Sequence, residues 1–144
     1  MKLISHRGNL AGRITQKENT PPYIDAAISS GFEVEIDLWF GQGKFFLGHD
    51  LPENEIKLSW IVERSEKLWI HAKNAAALEA LMETDLHYFF HSEDMATITS
   101  KGFVWVYPGK QPIKNSIAVL PELHDDEISQ CYGVCSDYIL KFKK

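Results

Sequence analysis

Seven short runs of apolar residues, separated by polar or helix-like stretches, constrain the fold of this chain more than any other feature of its sequence. Most of these runs are rich in β-branched or aromatic side chains, which favour strands. They lie at residues 3–6, 33–38, 68–73, 87–91, 103–107, 117–120 and 133–136. Strands that alternate with helical stretches are typical of an α/β fold.

Two of the intervening stretches carry clear helix signals. Thr20 precedes a Pro-Pro pair and Gly31 ends the apolar stretch that follows, so a helix is predicted between them. Asn74 likewise precedes residues 75–83, which are rich in alanine and leucine, the strongest helix formers. This second helix follows the third predicted strand directly.

Length and charge limit the classes of protein to consider. With 144 residues, 44% of them hydrophobic, the chain suffices for one ordinary core, so we expect a single domain over residues 1–144. A net charge of -5 provides no basic surface for nucleic acid or an anionic membrane. The chain has no apolar run long enough for a membrane span and no apolar secretion signal at its start, so a cytoplasmic location is expected.

The second predicted strand has an acidic face. Side chains two positions apart point the same way, so Glu33, Glu35 and Asp37 share one side of the strand. Buried charges need an opposite charge or a metal, which indicates a cation site; an edge strand with a solvated face is the alternative. His71 and Lys73 share a face of the third strand and favour the cation site, because parallel strands would bring them close to the acids.

Two further motifs supply histidines and an arginine. The first strand ends in His6 and Arg7, and a short hairpin after the second strand delivers His49 and Asp50 near the mouth of the sheet. Two histidines can move protons, two carboxylates can hold a divalent cation, and an arginine can bind phosphate. This set of residues indicates metal-assisted cleavage of a phosphodiester.

The order and spacing of these motifs resemble a known family. The runs HRG, ENTPPYIDAAISSGFEVEIDLW and FFLGHD are similar to the N-terminal half of the glycerophosphodiester phosphodiesterase family, and GVCSDY at residues 133–138 is similar to its closing strand. Members of this family are TIM barrels of the PI-PLC-like phosphodiesterase superfamily. The resemblance implies a phosphoric diester hydrolase that acts on small, glycerophosphodiester-like substrates of lipid metabolism.

The resemblance also implies roles for individual residues. His6 and His49 would be the acid/base pair, and Arg7 would contact the phosphate. The remaining implied residues are the metal ligands Glu35 and Asp37, a lysine matched by Lys73, and Glu18 and Asn19, which would line or brace the site. The family's usual divalent ion is Ca²⁺ or Mg²⁺.

One position departs from the family pattern. His71 stands where the family presents a metal-binding glutamate, and a neutral imidazole suits Mn²⁺ or Zn²⁺ better than Ca²⁺. Glu122 is a secondary candidate for the missing carboxylate. Tyr107 is a candidate for stacking on the substrate, with a plain Pro-Gly turn as the alternative. His91, followed by Glu93 and Asp94, is a candidate for a second ligand cluster or a substrate contact, and His124 with its acidic neighbours is a candidate for metal binding. A helix start is the favoured interpretation of both.

The chain is short for a complete barrel, which takes about 250 residues. We therefore expect a reduced TIM-like (β/α) barrel with about seven parallel strands and a thinned helical layer. Where helices are missing, outward side chains of residues 103–106 would lack cover, and such a patch predicts a homodimer.

Two other functions share these motifs. The chain would be a non-catalytic phosphate- or sugar-phosphate-binding descendant of the same barrel if the short chain and His71 prevent catalysis. Alternatively, it would be a lyase that releases a cyclic phosphate without net hydrolysis.

Overall fold

A computed structural model describes residues 1–144, which form ten strands, three α-helices and three short 3₁₀ helices. The strands are β1 (Lys2–His6), β2 (Glu33–Gly41), β3 (Lys44–Leu47), β4 (Asn54–Ile56), β5 (Leu68–Ala72), β6 (Tyr88–Phe90), β7 (Ala96–Ile98), β8 (Val104–Val106), β9 (Ile117–Val119) and β10 (Gly133–Ser136). The α-helices are α1 (Pro21–Ser29), α2 (Leu58–Val62) and α3 (Ala75–Met82), and the 3₁₀ helices are Ser65–Lys67, Pro121–Leu123 and Ile139–Phe142.

All ten strands belong to one curled, mixed sheet. Parallel pairs join the strands in the order β6, β5, β2, β1, β10, β9 and β8. Strands β3 and β4 extend β2 as an antiparallel hairpin, and β7 runs antiparallel to β8. Ser100 N donates a hydrogen bond to Tyr88 O, but no strand ladder joins β6 to β7 or β8.

The predicted fold class is therefore wrong. The sheet is a mixed half-barrel with only three α-helices, and not a reduced TIM-like barrel of parallel strands inside a helical layer. The connections explain the difference. Residues 107–116 between β8 and β9 contain no helix, and residues 120–132 between β9 and β10 contain only one 3₁₀ turn. A helical crossover takes about a dozen residues or more, so residues 107–116 are too few for one. Neither connection places an outer α-helix over this part of the sheet.

The two helices predicted after Thr20 and Asn74 are confirmed as α1 and α3, with one difference in capping. Asn74 caps α3 by accepting a hydrogen bond from Ala77 N at 3.0 Å. Thr20 occupies the N-cap position of α1, but its hydroxyl donates to Lys17 O and makes no cap. None of the helices is long and apolar enough to cross a membrane.

The core has two main parts, one on each side of the sheet. Val34, Ile36 and Leu38 pack with the three helices on the convex side of the sheet. The concave side holds a second cluster of buried side chains, which are Ile4, Trp69, Phe89, Trp105, Ile117, Val119 and Cys135. Glu35 and Asp37 lie on a central strand and therefore point to the concave side of the sheet. The alternative of a solvated edge strand is wrong.

The side chains on which the dimer prediction was based are largely covered. Trp105 and Val106 are buried, and Phe103 and Val104 are only partly exposed. These four residues do not form the expected open patch, so homodimerisation stays a prediction that they do not support.

Candidate active site

A cavity of about 580 Å³ opens on the concave side of the sheet, where the parallel strands end. Side chains from the ends of parallel strands meet at one edge of a sheet, which is where α/β proteins bind their ligands. Seven of the residues predicted from the sequence line this cavity: His6, Arg7, Glu35, His49, His71, Lys73 and Tyr107. Asp37 is fully buried directly beside them.

Glu35, Asp37 and His71 form a cluster that fits a divalent cation. Their nearest ligand atoms all lie within 4.8 Å of one another. Glu35 Oε2 and Asp37 Oδ1 are buried without a hydrogen-bond partner, which is costly unless a further ligand satisfies them. Two carboxylates and an imidazole are a donor set that Mg²⁺, Mn²⁺ or Zn²⁺ accepts.

The backbone of His91 orients the His71 ring. His71 Nε2 lies 2.9 Å from His91 O, and a carbonyl oxygen can only accept, so the Nε2 proton points there. His71 Nδ1 is then unprotonated in the neutral ring and lies 3.3 Å from Asp37 Oδ1. This is the arrangement in which an outer hydrogen bond presents a histidine nitrogen to a metal.

The pKa values of the two carboxyl groups in the cluster are shifted in opposite directions. Burial, together with the charge of Asp37, raises the pKa of Glu35 well above its ordinary value. Burial alone would also raise the pKa of Asp37. The close contacts with His49 and His71 and the charge of Arg7 outweigh this effect and hold the pKa well below its ordinary value. Asp37 is therefore the permanent anion of the site.

Asn19 and Glu18 brace the charged residues from the loop before α1. Asn19 Nδ2 donates to Asp37 Oδ2 at 2.9 Å, and Asn19 Oδ1 accepts from Asp37 N at 3.0 Å. Asn19 adopts a positive φ of 54°, which asparagine tolerates better than most residues. Glu18 accepts from Asn9 Nδ2 at 2.8 Å and lies 3.7 Å from Arg7 Nη1. These contacts fix the position of Asp37 and Arg7 relative to each other.

His6 is paired with Asp137, a residue from the far end of the chain. The distance between His6 Nδ1 and Asp137 Oδ1 is 2.7 Å, and His6 Nε2 lies 3.8 Å from Glu35 Oε2 in the cavity. Although burial acts to raise the pKa of Asp137, its contacts with His6 lower it below the ordinary value. The carboxylate thus directs the Nδ1 proton of His6 and leaves Nε2 facing the metal cluster.

Glu122 is not brought to the metal cluster, in contrast to the prediction. Its Oε1 accepts hydrogen bonds from Ser136 Oγ at 2.9 Å and Asp137 N at 3.1 Å. Glu122 therefore holds the turn that carries Asp137 and acts on His6 only indirectly. Leu120 and Leu123 on either side of it line the cavity, but the Glu122 side chain turns toward β10.

His49 and Arg7 meet on the other side of Asp37. Arg7 Nη2 donates to His49 Nδ1, and Arg7 Nε lies 2.9 Å from Asp37 Oδ2. Gly48, which precedes His49, has φ +155°, and a Cβ there would lie 1.9 Å from Leu51 O. Lys73 Nζ lies 3.7 Å from Asp37 Oδ1, whereas the side chain of Asp50 is 89% exposed at the rim. Arg7 and Lys73 thus place two cations beside Asp37 at the edge of the cavity.

Three residues of this region were missed or misread in the sequence. Asp137 orients His6, and its only signal was its place at the end of the last strand. His91 and His124 line the cavity and begin no α-helix, so their interpretation as helix starts is wrong. For His91 a signal existed, because it lies two positions after Phe89, whose side chain is inside the curl.

No protein-family model, curated protein or solved structure matches this chain. Its function is therefore inferred from its own residues.

Proposed function

We propose that this chain is a metal-dependent phosphodiesterase that cleaves small phosphodiesters, similar in chemistry to the glycerophosphodiester phosphodiesterases. The observation that supports this proposal most is the convergence of His6, His49, Glu35 and Asp37, distant in sequence, on a single cavity. Arg7 and Lys73 complete the set with two cations. With a net charge of -5, the proposed enzyme acts on small molecules in the cytoplasm and not on nucleic acid or membranes.

A cation held by Glu35, Asp37 and His71 would lower the pKa of a substrate hydroxyl and neutralise charge on the phosphoryl group. Arg7 and Lys73 bind the non-bridging phosphoryl oxygens and stabilise the charge that develops in the transition state. A hydroxyl next to the ester attacks phosphorus, the bond to the leaving oxygen breaks, and a cyclic phosphate forms. Water then opens the ring to give the monoester.

The hydrogen bonds of the two histidines suggest a division of roles. His6 Nε2 accepts the hydroxyl proton, since Asp137 stabilises the imidazolium that results. His49 donates a proton to the leaving oxygen. Arg7 releases His49 Nδ1 when it binds the phosphate, and Asp37 Oδ2, 3.4 Å from Nδ1, then stabilises the protonated ring.

The test is hydrolysis of glycerophosphodiesters, which carry the hydroxyl that the mechanism requires, under titration with Mg²⁺, Ca²⁺, Mn²⁺ and Zn²⁺. We expect metal-dependent turnover that Glu35→Gln and His49→Ala each reduce by at least about a hundredfold. Glu55→Gln is a matched control, because Glu55 is half-exposed and pairs only with Lys44 on the surface hairpin. Full turnover in His49→Ala would refute the acid/base assignment.

Two outcomes lead to the alternative functions. A phosphate-binding module without turnover is favoured by the raised pKa of Glu35, because a carboxyl group that retains its proton is a weaker metal ligand. Phosphate binding by the wild type without hydrolysis at any metal concentration would identify it. A cyclic phosphate that persists in ³¹P NMR would identify the lyase.

A further inference from the structure

The cavity is divided into a charged half and an apolar half. The proposed metal ligands and the residues Arg7, His6, His49 and Lys73 come from β1, β2 and β5 or from the segments next to these strands, and Asp137 lies beside them after β10. The opposite wall comes from β8, β9 and the segments that follow them. Its apolar residues are Trp105, Tyr107, Val119, Leu120 and Leu123.

The apolar wall is built as part of the fold. Trp105 is only 3% exposed and packs against Phe89, with 4.6 Å between ring centroids. The Tyr107 and His91 rings are in edge contact, with 5.6 Å between their centroids, and this contact holds the Tyr107 ring at the side of the cavity. Tyr107 and Leu123 nevertheless keep 38% and 62% of their surface exposed. These large apolar surfaces are available to cover a ligand.

The charges of the lining residues identify the kind of group that this half accepts. Arg7 and Lys73 are the only lysine and arginine among the lining residues, and both lie in the charged half. The ionisable lining residues in or beside the apolar half are His124, which follows β9, and His91 and Glu93, which follow β6. A second anionic group would find no lysine or arginine on this side, and Glu93 would repel it.

We propose that the apolar half binds the ester substituent of the substrate, and that this substituent is neutral and apolar, with an aromatic ring as the best fit. This substrate class rests on the proposed phosphodiesterase function, which places the phosphoryl group beside Arg7 and Lys73. The volume of about 580 Å³ leaves room for such a substituent beside the phosphoryl group. Diesters whose substituent carries a carboxylate or a further phosphate are disfavoured.

Binding of simple phosphonates tests this without any turnover. Titration calorimetry in the presence of Mg²⁺ compares phenylphosphonate, methylphosphonate and 4-phosphonobenzoate, which share the phosphonate and differ in the substituent. We expect phenylphosphonate to bind about tenfold more tightly than the methyl compound, because the ring buries more apolar surface. The carboxylate of 4-phosphonobenzoate should remove this advantage.

Matched variants locate the effect. Tyr107→Ser and Leu123→Ser should each reduce the ratio of phenyl to methyl affinity at least threefold. Tyr132→Ser and Leu140→Ser are controls on other surfaces, because these residues are 43% and 44% exposed and do not line the cavity, and the ratio should not change in them. Equal affinity for the two phosphonates, no binding of either, or a ratio unchanged in both wall variants would overturn the proposal.

The result is distinct from a failure of the proposed function. Hydrolysis of diesters without a preference for the phenyl group refutes the apolar-substituent proposal and leaves the phosphodiesterase in place. Preferential binding of phenylphosphonate by a protein that hydrolyses no diester refutes the enzyme and leaves the ligand class in place.

Discussion

Asp37→Asn should destabilise this protein strongly, whereas Glu35→Gln, two positions earlier on the same strand, should cost little. The Asp37 carboxylate is fully buried and lies 2.9 Å from Arg7 Nε and 3.7 Å from Lys73 Nζ. Loss of its charge leaves Lys73 and the deeply buried Arg7 close together, with the Glu18 carboxylate, 3.7 Å from Arg7 Nη1, as a weaker counter-ion. Glu35 faces the same cations but also lies beside the Asp37 charge, which repels a second anion.

The expected size of the effect follows from these distances. At an effective dielectric constant of about 20, unit charges at 2.9 and 3.7 Å attract by about 6 and about 4.5 kcal/mol. The cost of removing the carboxylate from water offsets much of this, and breaking a buried pair typically costs about 3–5 kcal/mol. We expect about 3 kcal/mol for Asp37→Asn, because Lys73 retains some contact with water. Burial and the neighbouring Asp37 charge already disfavour the Glu35 anion, so Glu35→Gln removes a charge that the ion-free site does not favour, at a cost below about 1 kcal/mol.

Urea denaturation at pH 7 in the presence of EDTA measures both free energies of unfolding. Asp50→Asn is the control for the chemical change itself, because the Asp50 side chain is exposed, and its free energy should change by less than about 0.5 kcal/mol. Equal losses in the two cluster variants, or a larger loss in Glu35→Gln, would refute the assignment of Asp37 as the permanent anion.

Three further predictions concern metal, pH and helix capping. Mg²⁺ or Mn²⁺ at a hundred times its dissociation constant should stabilise the wild type by about 2.7 kcal/mol and leave Glu35→Gln unchanged, as measured by thermal unfolding with and without EDTA. Burial lowers the pKa of His87 to about 4, below the 6.5 of the unfolded chain, so its contribution to stability is complete above pH 6.5 and is lost as the pH falls toward 4. The full pKa difference corresponds to about 3 kcal/mol, and the partial exposure of the ring reduces this to about 1–2 kcal/mol. Between pH 6.5 and 4, the free energy of unfolding should therefore fall by about 1–2 kcal/mol more in the wild type than in His87→Gln. Parallel pH profiles of the two proteins would contradict this prediction. Asn74→Ala should lower the free energy of unfolding by about 1–2 kcal/mol in urea denaturation, because Asn74 caps α3 and also donates to Phe40 O at 2.9 Å. Thr20→Ala should cost less, because Thr20 occupies an N-cap position but makes no capping hydrogen bond.

The local pattern of the sequence predicts the strands and the placement of the charged residues well. Alternation in β2 places Glu35 and Asp37 on one side and Val34, Ile36 and Leu38 on the other, as the two core clusters confirm. This worked because the period of two depends only on strand geometry. The parallel neighbours β1 and β5 then bring His6 and His71 to the same acids.

Long-range features could not be read from the same pattern. The pairing of His6 with Asp137 spans almost the whole chain, and no local spacing specifies it. Residues 91–95 and 107–116 form loops, so no helix packs outside this part of the half-barrel. The acidic residues after His91 and His124 had instead predicted a helix start at each histidine. Glu122 turned away because Ser136 and the Asp137 backbone offered hydrogen bonds nearer than the metal cluster.

The division of the cavity has a consequence for how specificity can change. Apart from Asp137, the residues proposed to do the chemistry precede position 74, whereas the apolar wall is encoded between positions 105 and 123. Mutations in the second segment can therefore reshape recognition while the bond-breaking groups stay in place. A library confined to positions 107, 119, 120 and 123 is the natural starting point for redirecting this scaffold to new ligands.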